Sequence, residues 1–434
     1  MNIVIIGAGP AGRFAAMKAA ENGENVTLIE KRFIGGKCLN QSCMVVCSLS
    51  DIAKHMLEAN RFNDLELLDY QPVVKYDNIT KKVKETQKII RKIITSETEE
   101  TGVDFIQGEA SIDAENKIVT VNDEDYEYDK LLICTGSTPF IPPITGVENA
   151  YNYTDLLKLK EVPNDLIIIG GETSAAEFAS IYSSLGSNVN ILCRNSFLKN
   201  INDSEVEEYI VTKLLKNTVV HENVDIKQIT ADGVETSNGF INGTVLLATG
   251  VKPNSDLVKD IVKLDSKGNI ITDEHMLTSN EDIYAAGDVV GGILATPVSR
   301  MEGMVAIHNI CGKVDTPDYS IIPLNITLPY DLVYLTGTNV SSNGAEGMLP
   351  GAAGPGSFWH VLDGSTGLTK VRIDVSTGKV NNIISLSPNA NLALPYIAKA
   401  MKENVTSSDF DNFTEIHPTT DGIFKLIEFF KRFN

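Results

Sequence analysis

The chain has 434 residues, with 37 lysines and arginines against 57 aspartates and glutamates and a formal charge of −20, a balance that repels polyphosphate backbones and anionic lipid and so excludes nucleic acid and membrane surfaces as partners. Its 43% hydrophobic and 22% charged residues supply enough apolar surface to offset the entropy of ordering a backbone, and the length exceeds one ordinary core, which predicts several domains. No basic lead-in or small-residue cleavage site accompanies the first apolar run, and no run nears the ~20 apolar residues of a membrane span, so the expected setting is the cytoplasm, where paired cysteines do redox or metal chemistry rather than structural stapling.

The opening residues 2–6 predict a buried strand, followed by Gly7, Gly9 and Gly12 in "GAGPAG", an alanine-rich helix to Asn22, and a second strand, "NVTLIE", ending at Glu30. Strand, glycine turn, helix and a terminal acid in this order predict a dinucleotide site. The glycines allow a tight turn and close backbone approach, the helix N-terminus faces a pyrophosphate, and the acid takes a ribose hydroxyl pair. Directly after it, "GGKCLNQSCMVVCS" (35–48) places three of the six cysteines in one short stretch. By itself a C-x4-C pair reads either as two small apolar side chains or as a redox couple. Zinc is disfavoured, because no second cysteine or histidine pair supplies the remaining ligands.

The strand, turn, helix, strand order returns at residues 165–194, predicting a second unit of the same kind. Its three glycine positions carry Gly170, Glu172 and Ala175. Glu172 puts a carboxylate where a pyrophosphate would rest, and like charges there repel. Cys193 and Arg194 stand where the ribose acid would be; Arg194 reads either as a partner for a 2'-phosphate, favouring NADPH, or as a solvated surface side chain. Cys134, Cys193 and Cys311 read as core or surface thiols.

These motifs together resemble the pyridine nucleotide-disulfide oxidoreductases, whose signature G-G-x-C-x-x-x-x-C is matched by Gly35, Gly36, Cys38 and Cys43. The resemblance runs nearly the whole length and is nearest to the dihydrolipoamide dehydrogenases. "LLICTGSTP" (131–139) and "VLLATGVKPN" (245–254) look like the two domain-crossing segments, "TSNEDIYAAGDVVGG" (278–292) like the second flavin motif, and "HPTTD" (417–421) like the histidine motif of the dimer-interface domain. It implies an α/β fold of two Rossmann-like dinucleotide-binding domains plus a C-terminal α+β dimerisation domain. The parts would be residues 1–147 (FAD-binding), 148–265 (NAD(P)-binding-like), 266–318 (FAD-binding, continued) and 319–434 (interface).

As implied by the resemblance, Cys38 and Cys43 form a redox-active disulfide, with Cys43 under the flavin as the thiolate and Cys38, nearer solvent, exchanging with substrate. His417, with Asp421, is the acid–base pair, acting on the disulfide of a second subunit in a homodimer, and Glu177 completes the catalytic set. FAD would be held by Gly7, Gly9, Pro10, Ala11, Gly12, Glu30, Lys31, Gly36, Lys37, Ala110, Thr135, Gly136, Gly287, Asp288, Leu294, Ala295 and Thr296, with Asp288 on the ribityl chain. Gly170 and Arg194 lie on the nicotinamide side. The expected activity moves two electrons between a small dithiol/disulfide or lipoyl-bearing substrate, the cysteine pair, FAD and NAD(P). The alternatives are a flavin-bearing redox sensor or relay that does not use a nicotinamide, and a glutathione-reductase-like or mercuric-reductase-like enzyme; mercury reduction lacks the C-terminal cysteine pair that would hand over the metal.

The sequence departs from the family in three places. Val45, Val46 and Cys47 stand where a proline, a serine and a flavin-side lysine are usual, leaving the lysine's glutamate partner, Glu177, either protonated, paired with another cation or solvated. Cys47 falls four residues after Cys43, one helical turn on, and reads either as a third redox thiol or as a packed small side chain. Gly422 occupies the place of the acid that orients the histidine, which leaves Asp421 or Glu415 as the candidate substitutes, and without one the imidazole loses tautomer control and basicity. Glu172 is the third departure.

Overall fold

The apolar run "NIVII" forms β1 (Asn2–Ile6), buried on both faces as a central parallel strand requires. The chain continues through α1 (Pro10–Glu21), β2 (Asn25–Glu30), α2 (Gly36–Asn40), α3 (Cys43–Asp64), α4 (Tyr76–Glu100), β3 (Asp104–Gln107) and β4 (Lys130–Ile133). A second series comprises β5 (Tyr151–Asn152), β6 (Asp165–Ile169), α5 (Thr173–Ser184), β7 (Asn188–Leu192), β8 (Thr218–His221) and β9 (Thr244–Leu247). Then come β10 (Ile283–Ala285), α6 (Thr296–Ile310), β11 (Ile322–Thr327), β12 (Asp331–Thr336), β13 (Gly344–Pro350), β14 (Leu368–Asp374), β15 (Val380–Ser387), α7 (Ala390–Lys402) and α8 (Ile423–Lys431). The structure, a computed structural model, describes residues 1–336, 344–412, 414, 417–418 and 422–431.

Three five-stranded sheets organise these elements. The first, in the order β10-β4-β1-β2-β3, is parallel throughout, and so is the second, β8-β7-β6-β9-β5. The third, β11-β12-β15-β14-β13, is antiparallel. The two parallel sheets reverse their order at β1 and β6, respectively, the switch points outside which nucleotides bind in such folds. The fold is thus α/β with two Rossmann-like sheets and a C-terminal antiparallel sheet carrying helices, as expected. The two crossing segments pair with each other, Thr138 opposite Lys252. Two small antiparallel sheets, at residues 111–127 and 226–242, were not foreseen.

Helix packing explains where the site lies. Pro10 opens α1, where its missing N–H costs nothing, and Ala11, Ala15, Ala16 and Ala19 form one apolar cluster with Val305, Ala306, Ile307 and Ile310 of α6. Gly303 permits this approach, since a Cβ there would stand 2.5 Å from the Ala11 carbonyl oxygen. Val45, Leu49 and Ala53 of α3 share a second cluster with Ala175, Ala176 and Ala179 of α5. That contact brings the cysteine-bearing helix against the helix carrying Glu177. Among the described residues no helix is long and apolar enough to cross a membrane.

Candidate redox site

The C-terminal ends of the parallel strands open into one cavity of about 2170 Å³, well above the few hundred Å³ of an ordinary small-ligand pocket. Every expected cofactor residue except Gly12 lines it. Gly12 lies behind the turn instead: a Cβ there would meet the Gly7 carbonyl oxygen at 2.0 Å, so this glycine serves helix-to-strand packing rather than contact with a ligand. Gly7, at φ +108°, has the Cys134 carbonyl oxygen 2.2 Å from where a Cβ would be, and Gly36, at φ +57°, has the Gly9 Cα at 2.8 Å. These segments therefore touch backbone to backbone, and because Gly7, Gly9 and Gly36 also line the cavity, main chain alone forms a cradle in its wall there. Glu30, at the end of β2, accepts the Ala8 N–H at 2.9 Å and the Arg32 N–H at 2.9 Å.

Asp288 sits across the cavity. It accepts hydrogen bonds from Lys37 Nζ at 2.8 Å, Ser137 Oγ at 2.6 Å and Ser299 Oγ at 3.4 Å. Burial works against its ionisation, but the Lys37 charge and these donors outweigh it and hold the carboxyl below its ordinary value. Lys37 Nζ also donates to Ser137 Oγ at 2.5 Å. Ser137, buried within the first crossing segment, was missed from sequence although it lies inside a quoted motif.

The cysteines meet at the N-terminus of α6. Thr296 Oγ1 donates to Cys38 Sγ at 3.5 Å and lies 3.8 Å from Cys43 Sγ, and Ser42 Oγ is 3.7 Å from Cys43 Sγ. All six cysteines are thiols. A hydrogen bond from Cys38 outweighs burial at Cys43 and, with Ser42, Thr296 and the Lys37 charge, brings the Cys43 thiol down to about 6. The same bond, burial and the Cys43 charge push Cys38 well up. A Cys43 thiolate at the first turn of α3, beside a protonated Cys38, is the favoured state. Both line the cavity; Cys38, on α2, is half-buried, and Cys43 is exposed toward the cavity.

Two residues of α4 fix the loop between the cysteines. The buried Gln87 donates its Nε2 to the Leu39 carbonyl at 3.0 Å and the Asn40 carbonyl at 3.2 Å, and Arg91 donates to Asn40 Oδ1 at 2.8 Å. Nothing local in the sequence points to them, because tertiary packing delivers α4 to this place.

Glu177 accepts the Thr327 N–H at 3.0 Å. Burial pushes its carboxyl up to about 7 against that hydrogen bond, with Cys43 and Asp331 adding to the rise. Among the described residues it has no ion pair; the nearby cation, Lys54, is held by Asp331 at 3.1 Å. The helix α3 begins at Cys43, so Cys47 does follow one turn later and lines the same cavity. Burial, then Cys43, Asp51, Glu177 and Asp331, raise the Cys47 thiol.

In the second unit Gly170 keeps its tight turn, with the Ala248 carbonyl oxygen 2.2 Å from a Cβ position. Glu172 is the N-cap residue of α5, and its Oε2 is buried without a hydrogen-bond partner. Burial raises its pKa, eased by the Lys199 charge and a hydrogen bond from Asn200. Arg194 is exposed at the cavity wall. His417 is exposed and does not line the cavity, so a single chain does not bring it to the cysteines. Asp421 and Glu415 lie outside the described residues.

Residues 1–303 match the family described as Pyridine nucleotide-disulphide oxidoreductase. The chain is 30% identical to a dihydrolipoyl dehydrogenase of Buchnera aphidicola, over 96% of this chain and 92% of the relative. It is 30% identical to a mercuric reductase of Staphylococcus aureus, over 97% and 81%. The solved structure of the HOCl-induced flavoprotein disulfide reductase RclA from Escherichia coli superposes with a TM-score of 0.86 at 22% identity, covering 99% of each chain.

Proposed function

The chain belongs to the pyridine nucleotide-disulphide oxidoreductase family, and from that premise we propose that it is an FAD-dependent dithiol/disulfide oxidoreductase resembling dihydrolipoamide dehydrogenase. It would move two electrons between a small dithiol/disulfide or lipoyl-bearing substrate, the Cys38–Cys43 pair, FAD and NAD(P). The observation that carries this reading is the Thr296 hydroxyl placed within 3.8 Å of both sulfurs in a cavity also walled by the Gly7–Gly9–Gly36 cradle and Asp288. That cradle and the ionised Asp288 fit the phosphates and polyol chain of FAD; Glu30 fits its ribose. Strand β10 pairs with β4, Tyr284 opposite Leu132, which supports assigning residues 1–147 and 266–318 to one FAD unit, with 148–265 and 319–434 as the nucleotide-like and interface units.

In this reading a substrate thiolate attacks Cys38 Sγ of the oxidised pair, and Cys43 leaves. Its low pKa makes it the better leaving group. The second substrate thiol then attacks the mixed disulfide and releases Cys38, whose proton balance falls to His417 of a second copy in a homodimer. Thr296 donates to Cys38 Sγ and stands 3.8 Å from Cys43 Sγ, so its single hydroxyl proton can turn to whichever sulfur carries charge. FAD, when bound, supplies the two-electron chemistry that passes the reducing equivalents to NAD(P) or another acceptor. Gln87 and Arg91 keep the Cys38 loop in place throughout.

Glu172 favours a second reading, a flavin-bearing sensor or relay that does not use a nicotinamide, because this acid occupies the N-cap position of α5 in the cavity wall, the helix end where a pyrophosphate would sit. Stopped-flow mixing of the FAD-loaded protein with dihydrolipoamide, NADH and NADPH separates the two. Prompt reduction by dihydrolipoamide, lost in Cys38→Ser, is expected for the enzyme; failure with dihydrolipoamide would contradict it. Prompt reduction by either nicotinamide rejects the sensor. Glu172→Gly is expected to speed reduction by a nicotinamide, and an unchanged rate would remove Glu172 as the obstacle.

A further inference from the structure

Glu177, on α5, lines the same cavity as the cysteines, and its neighbours Ala175, Ala176 and Ala179 pack with Val45, Leu49 and Ala53 of α3. The groups around it are acidic or neutral. From α3 come Cys43, Cys47 and, beyond Cys47, Asp51; from β12 comes Asp331, whose charge is taken up by Lys54; from β11 comes the Thr327 N–H; and Glu172 lies at the start of α5 itself. Lys37, whose charge acts on Cys43, is committed to Asp288 and Ser137. A carboxylate here and a thiolate at Cys43 are like charges in a buried site, so each raises the other's pKa and full ionisation of both is disfavoured. With Cys43 in a disulfide that repulsion is absent.

We propose that Glu177 is the group that balances the Cys43 thiolate, taking up a proton when the Cys38–Cys43 disulfide is reduced and returning it when the disulfide re-forms. The inference rests on the reading of Cys38 and Cys43 as the redox pair. A dithiol, the disulfide and the Glu177 carboxylate become a substrate disulfide, a Cys38 thiol, a Cys43 thiolate and a Glu177 carboxylic acid. Two S–H bonds are lost from the substrate, one S–S bond breaks as another forms, two electrons enter the cysteine pair, and both protons stay on the protein. The net charge of the site does not change. Cys47 permits this, because a neutral thiol beside Glu177 leaves the carboxyl free to change protonation, whereas a lysine at that position would hold it ionised in both states. A carboxyl raised to about 7 beside the thiolate has the right acidity for the exchange.

The test counts protons. The FAD-loaded protein in weak buffer near pH 6.5 is reduced with one equivalent of dithiothreitol per pair, and proton release is read with a pH indicator while the long-wavelength absorption of the reduced enzyme reports reduction. Wild type is expected to release fewer protons per pair reduced than Glu177→Gln and, independently, than Cys47→Lys, by as much as one, because neither variant can store the proton; any uptake at His417 is common to all three and cancels in the difference. Equal release from wild type and both variants, with the absorption band present, overturns the role of Glu177 and leaves the redox pair standing. Absence of the band in wild type removes the pair and this inference with it.

Discussion

At the scale of single residues, the chemistry turns on which sulfur carries the charge. Cys38, Thr296, Ser42 and Lys37 all favour a thiolate at Cys43, and Cys38 is correspondingly driven to stay protonated. Because only thiolate is alkylated, the rate at Cys43 in the FAD-free protein is expected to rise with pH through a midpoint of about 6 and level off above it. Mass-mapped iodoacetamide labelling checks this. Thr296→Val, which removes one of the lowering hydrogen bonds, is expected to move the midpoint up, and a wild-type midpoint near the ~8.5 of an ordinary cysteine would contradict the assignment. Cys38, Cys43 and Asp288 were legible in the sequence because a short motif fixes them. Ser137, Gln87 and Thr327 were not, because each reaches the site only through packing between segments far apart in the chain.

At the scale of elements, the β1–α1 turn and α2 are built around glycines that do different things. Gly36 combines a left-handed φ of +57° with a Cβ position 2.8 Å from the Gly9 Cα, whereas Gly102, at φ +92°, has nothing within 4 Å. Gly36→Ala is expected to destabilise by roughly 1–3 kcal/mol and to lose most FAD affinity, while Gly102→Ala shows only the strain and binds FAD normally. Thermal melts with FAD titration distinguish them; normal FAD binding in Gly36→Ala would place the cofactor elsewhere. Strands 2–6 and 165–169 and the helices after them were legible because apolar runs ending in glycine turns are strong local signals. The small antiparallel sheets were not, since their short strands, such as Glu124–Glu127, are mostly polar and exposed.

At the scale of the whole molecule, the C-terminal sheet is tied to the second unit by Lys370 of β14, buried and paired with Asp203 at 2.7 Å and Glu205 at 2.6 Å. His417 lies outside the cavity that holds the cysteines, so the account needs a second copy. Co-refolded Cys38→Ser and His417→Gln chains are expected to regain about a quarter of wild-type dithiol turnover, since half the dimers are mixed and each mixed dimer has one intact site. No recovery, or a monomer by sedimentation, would contradict the shared site. The central claim, a cysteine couple beside a bound FAD, is tested most directly by the absorption spectrum of the FAD-reconstituted protein during two-electron reduction. A yellow protein that gains a long-wavelength band on reduction in wild type, already carries it before reduction in Cys38→Ser and lacks it in Cys43→Ser is the predicted result; a protein that takes up no flavin, or a flavin spectrum indifferent to Cys43, would contradict it.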